Sequence, residues 1–235
     1  MQLSRSIAAV LLLSLAVPAS AAWTWTVKCE ELTSEQRWNI SLPSSYEVKP
    51  GQTVKPALQV FGIEKLPAFI PADVDCAATW KIQPKDGIKL NPSTGEFLVA
   101  PDAPHGRVYT LTATIKGETK PVTSKVLVFT SQGNPFVGRW REKGGQGIEE
   151  LVFSADQSFK VARIPFEVRY DYWGTYTYDL KTGALELKVT GGNTIPRDII
   201  LKGSFKVEGR VLTLKGIYLG TLGSEKKSPG HVFVN

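Results

Sequence analysis

Residues 169–189, RYDYWGTYTYDLKTGALELKV, decide the fold. Aromatic or aliphatic side chains recur at alternate positions along this stretch, which is the period of a β-strand and not the 3.6-residue period of a helix. The turn-prone Lys181-Thr182-Gly183 divides it into two runs. The stretch therefore predicts antiparallel strands joined by a tight turn, and Gly174 predicts a bulge or bend.

The same alternation extends outward along the chain, broken by proline and glycine at intervals near the roughly 8–12 residues expected of all-β domains. A helix is predicted only at Thr33–Trp38, where Thr33 and Gln36 have the spacing of a capping box. We therefore predict an all-β chain in three parts. They are a seven-stranded β-sandwich at 22–130, a polar linker at 131–135 and an antiparallel barrel of eight or nine strands at 136–235.

The first 21 residues have the features of a signal peptide. Arg5 precedes an apolar run from Ile7 to Val17, and Ala19-Ser20-Ala21 has the small side chains that signal peptidase requires. The apolar run is too short to span a bilayer, which needs about 20 residues. The sequence thus predicts a periplasmic or secreted protein without a membrane span.

Export to an oxidising compartment predicts a disulfide between the only two cysteines, Cys29 and Cys76. A reactive thiol pair is the alternative. It is disfavoured because the two residues are far apart in sequence and do not form a Cys-x-x-Cys motif.

Two segments of the first half, GIKLNPSTG at 87–95 and APHGRVYTLTAT at 103–114, resemble the Ig-like, cadherin-like repeat of bacterial exported proteins. The resemblance implies an Ig-like β-sandwich that serves as a spacer, adhesion or recognition module. Tyr109 resembles the tyrosine-corner residue of Ig sandwiches. Leu111 stands where antibody domains have their second strand-bridging cysteine, so the resemblance implies that Cys29 and Cys76 form a different staple.

Three segments of the second half, VGRW at 137–140, LVFSADQSF at 151–159 and GTYTY at 174–178, resemble the lipocalin-like family of small exported barrels. The resemblance implies that Gly138 and Trp140 open the first strand, with the Trp140 ring plugging one end of the barrel. The predicted strands are shorter than those of full lipocalins, which argues against a large internal cavity.

Catalytic signatures are missing from the sequence, so we expect no enzyme and no cofactor. The two histidines, His105 and His231, are far apart, and no nucleophile-elbow, zinc-protease or phosphate-loop motif occurs. The acidic residues that resemble the calcium ligands of cadherin-like domains are too few to predict a metal site; they are Asp73, Asp75 and Asp102. The formal charge is +6, but no basic run exceeds Lys226-Lys227, which argues against nucleic-acid binding.

The sequence therefore predicts a non-catalytic protein that recognises a protein or an envelope glycan. Two alternatives stay open. The barrel could carry a small apolar or sugar ligand, or surface acids could serve a hydrolase, as pairs such as Glu149-Glu150 or Asp171 with Asp179.

Tyr170, Tyr172, Tyr176 and Tyr178 are the candidate ligand-binding residues, because strand alternation places them on one face. Aromatic rings that cover a ligand while their hydroxyls donate hydrogen bonds would form a binding platform. The alternative is ordinary barrel wall, since aromatic residues favour strands. A platform predicts that Tyr172→Ala and Tyr176→Ala abolish binding at little cost in stability, whereas a core role predicts unfolding.

Overall fold

The computed structural model describes residues 25–64, 66, 70–144, 147–163, 170–220 and 230–235. The predicted signal peptide at 1–21 lies outside these residues. Within them the chain is all-β, with a 3-10 turn at Cys29–Glu31 and one α-helix, α1, at Ser34–Trp38. Thr33 and Gln36 form the predicted capping box at the start of α1. Neither helical segment is long and apolar enough to cross a membrane.

The described part of the first half contains ten short strands in three sheets. Their bounds are β1 Thr26–Lys28, β2 Ser45–Val48, β3 Thr53–Val54, β4 Leu58–Val60, β5 Ala72–Asp75, β6 Ala78–Gln83, β7 Ile88–Leu90, β8 Phe97–Val99, β9 Val108–Ile115 and β10 Val122–Val128. The sheet orders are β2-β10-β9-β6, β1-β5-β4 and β3-β8-β7. The β2–β10 and β1–β5 pairs are parallel, and the others are antiparallel.

One hydrophobic core joins these three sheets. Strand β9 shows why, because its burial alternates and places Tyr109, Leu111, Ala113 and Ile115 inside. The predicted turn after β7 is confirmed: Asn91 Oδ1 accepts from the backbone N–H groups of Ser93 and Thr94, and β7 pairs antiparallel with β8. The Ig-like sandwich stays a prediction.

The Tyr109 side chain differs from a tyrosine corner. Its hydroxyl donates to the Asp86 carbonyl at 2.9 Å, 23 residues upstream. In Ig domains the corresponding bond returns to the backbone only a few residues upstream. Tyr109 therefore ties β9 to the turn before β7.

The predicted disulfide between Cys29 and Cys76 is confirmed. It links the turn after β1 to the residue that follows β5, so it staples the parallel β1–β5 pair. Leu32 and Val74 lie in the core beside it.

We expect that replacing Cys29 and Cys76 together by serine lowers the free energy of unfolding of the first half by about 3 to 4 kcal/mol, because the 47-residue loop is then free in the unfolded chain. Urea denaturation, followed by circular dichroism, measures the change. A loss below about 1 kcal/mol would mean that the loop is already restricted in the unfolded state.

The second half forms a closed barrel of eight antiparallel strands, as predicted. The strands are β11 Gly138–Glu142, β12 Ile148–Phe153, β13 Ser158–Arg163, β14 Tyr172–Asp179, β15 Ala184–Gly192, β16 Lys202–Glu208, β17 Val211–Lys215 and β18 Gly230–Val234. Each pairs with its neighbour in sequence, and β18 pairs with β11 to close the ring.

Strand β14 runs without interruption through Gly174. The predicted bulge is present, since the register with β15 shifts between Trp173 and Gly174. A Cβ atom on Gly174 would lie 1.9 Å from the Lys188 carbonyl oxygen, so only glycine fits.

The barrel has two ends, which we call the linker end and the far end. At the linker end Phe136 is fully buried and packs against four rings at 4.5–5.6 Å between centroids; they are Phe153, Tyr176, Tyr178 and Phe205. The far end is where β11 and β13 finish and where β12, β14 and β18 begin. Trp140 is buried in the same core, and its indole N–H donates to the Phe136 carbonyl.

The predicted linker is hydrogen-bonded to both halves of the chain. Gly133 donates its N–H to the Thr130 hydroxyl at 3.0 Å, and the Asn134 side chain donates to the Tyr176 hydroxyl at 2.7 Å. Glu47 in β2 also accepts a bond from the backbone N–H of Ala155 in the β12–β13 turn. Asn134 is 2% exposed, so this part of the segment belongs to the barrel's packing.

Candidate functional site

Three of the four candidate tyrosines point into the barrel. Tyr172 and Tyr176 are at most 1% exposed, and Tyr178 is half-buried. Each hydroxyl donates to a backbone carbonyl: Tyr172 to Leu219, Tyr176 to Ser154 and Tyr178 to Gly133. Their ligand-binding role stays a prediction, but their burial favours the barrel-wall interpretation over an exposed platform.

Tyr170 does not share a face with the other three, which corrects the alternation argument. The β13–β14 ladder ends at Val161 opposite Tyr172, so strand geometry does not extend back to Tyr170. Its hydroxyl instead donates to Glu150 at 3.0 Å, within a partly exposed group where Glu150 also pairs with Arg139. The Lys160 ammonium lies 5.3 Å from the Tyr170 ring centroid.

Burial raises the pKa of five tyrosines: Tyr46, Tyr170, Tyr172, Tyr176 and Tyr178. For Tyr46 the value reaches about 12. A pKa that is higher in the folded than in the unfolded state means that folding favours the neutral tyrosine. The contribution of these tyrosines to stability is therefore present below the unfolded-state pKa of about 10 and is lost at higher pH.

We therefore expect absorbance at 295 nm to show these tyrosines ionising above pH 10, with loss of stability in the same window. In urea all tyrosines should titrate together near pH 10. Titration of the native protein as one group near pH 10 would contradict the burial described here.

A buried polar network crosses the far end. His231 Nδ1 contacts Glu142 Oε1, and both side chains are at most 3% exposed. Glu142 Oε2 accepts from the Ile148 N–H at 3.0 Å, and His231 Nε2 accepts from the Leu219 N–H at 3.1 Å. Because the Leu219 carbonyl accepts from Tyr172, the network joins strands β11, β12, β14 and β18.

The hydrogen bonds fix the histidine tautomer. Nε2 must present a lone pair to the Leu219 N–H, so the proton is on Nδ1 and is donated to the Glu142 carboxylate. A general base needs a free ring nitrogen beside its substrate, and here both nitrogens are engaged. The Glu142–His231 pair therefore orders the barrel end and is not arranged as a catalytic dyad.

Arg163, the last residue of β13, is the least satisfied polar side chain at the far end. Its side chain is 1% exposed, and its one ion pair is a long one, 3.5 Å from Nη2 to Asp171 Oδ1. Its Nε and Nη1 atoms are buried without a hydrogen-bond partner among the described residues. Asp171 is fixed beside it, since Oδ2 accepts from the Arg163 backbone N–H at 2.7 Å.

Sequence reasoning missed both features, although a signal was available. In β13 the inward series Phe159, Val161, Arg163 ends on a charge. In β11 and β18 the series that contain Trp140 and Phe233 likewise end on Glu142 and His231. A charged or polar residue that continues an apolar inward series marks a barrel end where polar groups converge.

The acids proposed for a hydrolase do not converge. Asp171 precedes β14 while Asp179 ends it, where Asp179 accepts from the Lys181 N–H in a turn. Glu150 is engaged by Arg139 and Tyr170. No group of three or more potential metal ligands is clustered within the part of the chain that the structure describes.

A second candidate surface is a groove of about 420 Å³ beside β1. Trp25, which is 56% exposed, lines it together with Leu32, Gln36 and Ile63. Trp38 is also exposed but does not line the groove.

Comparison with known proteins identifies no family. No protein-family model matches the chain, and no curated protein matches it. Among solved structures, the S-layer protein rSbsC is similar over 81% of this chain, at 15% identity and a TM-score of 0.26; the match spans 25% of that protein's chain. A chimeric titin Z1Z2 carrying a decorin peptide is similar over 83% of this chain and 79% of its own, at 12% identity and a TM-score of 0.21. These scores are too low to carry an argument about fold or function.

Proposed function

We propose that the chain is an exported, non-catalytic binding protein, built from an Ig-like sandwich and a lipocalin-like barrel, whose binding site is the far end of the barrel. The observation that carries the proposal is the buried Arg163 guanidinium with unpartnered Nε and Nη1. Buried polar groups are nearly always hydrogen-bonded, and each unsatisfied donor costs about 1–3 kcal/mol. A ligand that supplies the missing acceptors removes this cost.

The middle of the barrel is not the proposed site. Aromatic rings fill it at centroid separations of 4.5–6.5 Å, from Phe136 at the linker end to Tyr172 towards the far end. A carrier of a large apolar ligand needs that space to be open. The filled interior supports recognition of a partner group at the barrel mouth over enclosure of a whole ligand.

Native mass spectrometry of the protein from its own exported fraction tests the proposal. We expect a chain that starts at Ala22, is two daltons light because of the disulfide, and holds a non-peptide mass that denaturation releases. Arg163→Met should lose this mass, whereas Arg141→Met, a change at an exposed position on β11, should keep it. A bare wild-type chain would refute the proposal.

The groove beside Trp25 supports a second candidate, recognition of an envelope glycan by the first half. An exposed indole next to a groove can stack on a sugar ring. Co-sedimentation with purified envelope polysaccharide tests this: Trp25→Ala should abolish binding, and Trp38→Ala, an exposed tryptophan outside the groove, should not. Equal binding by both variants would exclude the groove.

A further inference from the structure

We propose that the group bound by Arg163 is an uncharged polyhydroxyl group, as in a neutral sugar, and that two separate oxygen atoms of the ligand accept from Nε and Nη1. The inference rests on the proposed function and specifies the chemistry of that same site.

The free donors of Arg163 lie on different edges of its guanidinium. In an arginine side chain Nη1 lies cis to Cδ, so Nε shares an edge of the planar guanidinium with Nη2 and not with Nη1. Asp171 already contacts Nη2, and the free donors are on Nε and Nη1. A bidentate carboxylate or phosphate needs two donors on one edge. The free donors of Arg163 therefore suit two separate acceptor atoms.

The charges described at the far end disfavour an anionic ligand. Asp171 lies against Arg163, and the buried Glu142 carboxylate accepts at the same barrel end, while its partner His231 has only one ring proton. Among the described residues, the site thus holds the carboxylates of Asp171 and Glu142 and one guanidinium. The carboxylate of Asp198 adds negative charge near the Tyr172 hydroxyl, since it helps to raise the pKa of that group. A second anion next to Asp171 would be repelled in a region of low dielectric constant. The ligand must bring acceptors without bringing negative charge.

The site offers hydrogen-bond acceptors as well as donors. The Tyr172 hydroxyl donates to Leu219 and keeps lone pairs that can accept. Among the described residues, Asp171 Oδ1 has only the long contact with Arg163. A ligand hydroxyl both donates and accepts, so neighbouring hydroxyls can satisfy Arg163 while donating to Tyr172 or Asp171.

A thermal-shift titration with sugars matched in all but charge tests the inference. The probes are glucose against glucuronate and galactose against galacturonate, each added to ligand-free protein. We expect at least one neutral sugar to raise Tm and its uronate to bind at least tenfold more weakly. Arg163→Met should weaken the neutral sugar about a hundredfold, which corresponds to the loss of two charge-assisted hydrogen bonds. Arg141→Met should bind as wild type does.

The outcomes separate this inference from the proposed function. A preference for the uronates, no response to either neutral sugar, or unchanged sugar binding by Arg163→Met would each overturn the polyhydroxyl assignment. A wild-type protein that carries a non-peptide mass of acidic character would overturn it while leaving the proposed function intact. A bare exported chain would overturn the proposed function itself.

Discussion

Replacing Phe136 by alanine is expected to lower the free energy of unfolding of the barrel by about 3–5 kcal/mol, the range for removing a large aromatic side chain from a core. Phe136 lies immediately after the predicted linker, yet it is fully buried and contacts four aromatic rings. Its loss opens a cavity at the linker end where Tyr176 and Tyr178 pack. Urea unfolding monitored by tyrosine and tryptophan fluorescence measures the change.

Phe61→Ala is the matched control, because the Phe61 ring is 46% exposed and the same number of atoms is removed. We expect its effect to stay within about 0.5 kcal/mol, as for surface substitutions generally. A Phe136→Ala loss as small as that of Phe61→Ala would show that residue 136 behaves as a linker and does not close the barrel.

Replacing Glu142 by leucine should have an effect of similar size on the same unfolding transition. The change leaves the Ile148 N–H and the His231 Nδ1 proton without acceptors in a buried region. Each buried donor that loses its acceptor costs about 1–3 kcal/mol, so the loss for the two donors amounts to about 2–6 kcal/mol. The loss should appear in the barrel transition and leave the first half unchanged.

The double variant Glu142→Leu/His231→Phe distinguishes a specific pair from general crowding. Because the second change also removes the unsatisfied histidine, the double variant should regain part of the stability lost by Glu142→Leu alone, with a coupling energy of about 0.5–3 kcal/mol. Additive losses would mean that Glu142 and His231 act independently.

The barrel could be predicted from the sequence because the patterns that indicate it are local. The alternation in β14 and β15, the turn at Lys181-Thr182-Gly183 and the bulge at Gly174 each act within a few residues, and all are present. The first half was harder. Its strands β5 and β7 have four and three residues, too short for alternation to be recognised, and the parallel β1–β5 and β2–β10 pairs join segments distant in sequence.

The candidate site was harder to predict from the sequence than the fold. Alternation correctly placed Tyr172, Tyr176 and Tyr178 on one face. It wrongly included Tyr170, which lies before the β13–β14 pairing begins at Tyr172. The site at the far end depends on Glu142, Arg163, Asp171 and His231, which are spread over about 90 residues of sequence. Only closure of the ring brings β11, β13 and β18 to one end, so single-strand patterns could not show that these charges meet.

We infer that Arg163 is buried to bind a ligand and not to stabilise the barrel. Urea unfolding of ligand-free Arg163→Met against ligand-free wild type tests it most directly. The change removes two buried donors that lack a partner among the described residues, each of which costs about 1–3 kcal/mol. It leaves Asp171 partly exposed, with Oδ2 still accepting from the backbone N–H of residue 163. We predict that the free energy of unfolding of Arg163→Met is equal to or higher than that of wild type. A loss of about 3–5 kcal/mol would instead show that Arg163 and Asp171 form a structural pair, and would contradict the claim.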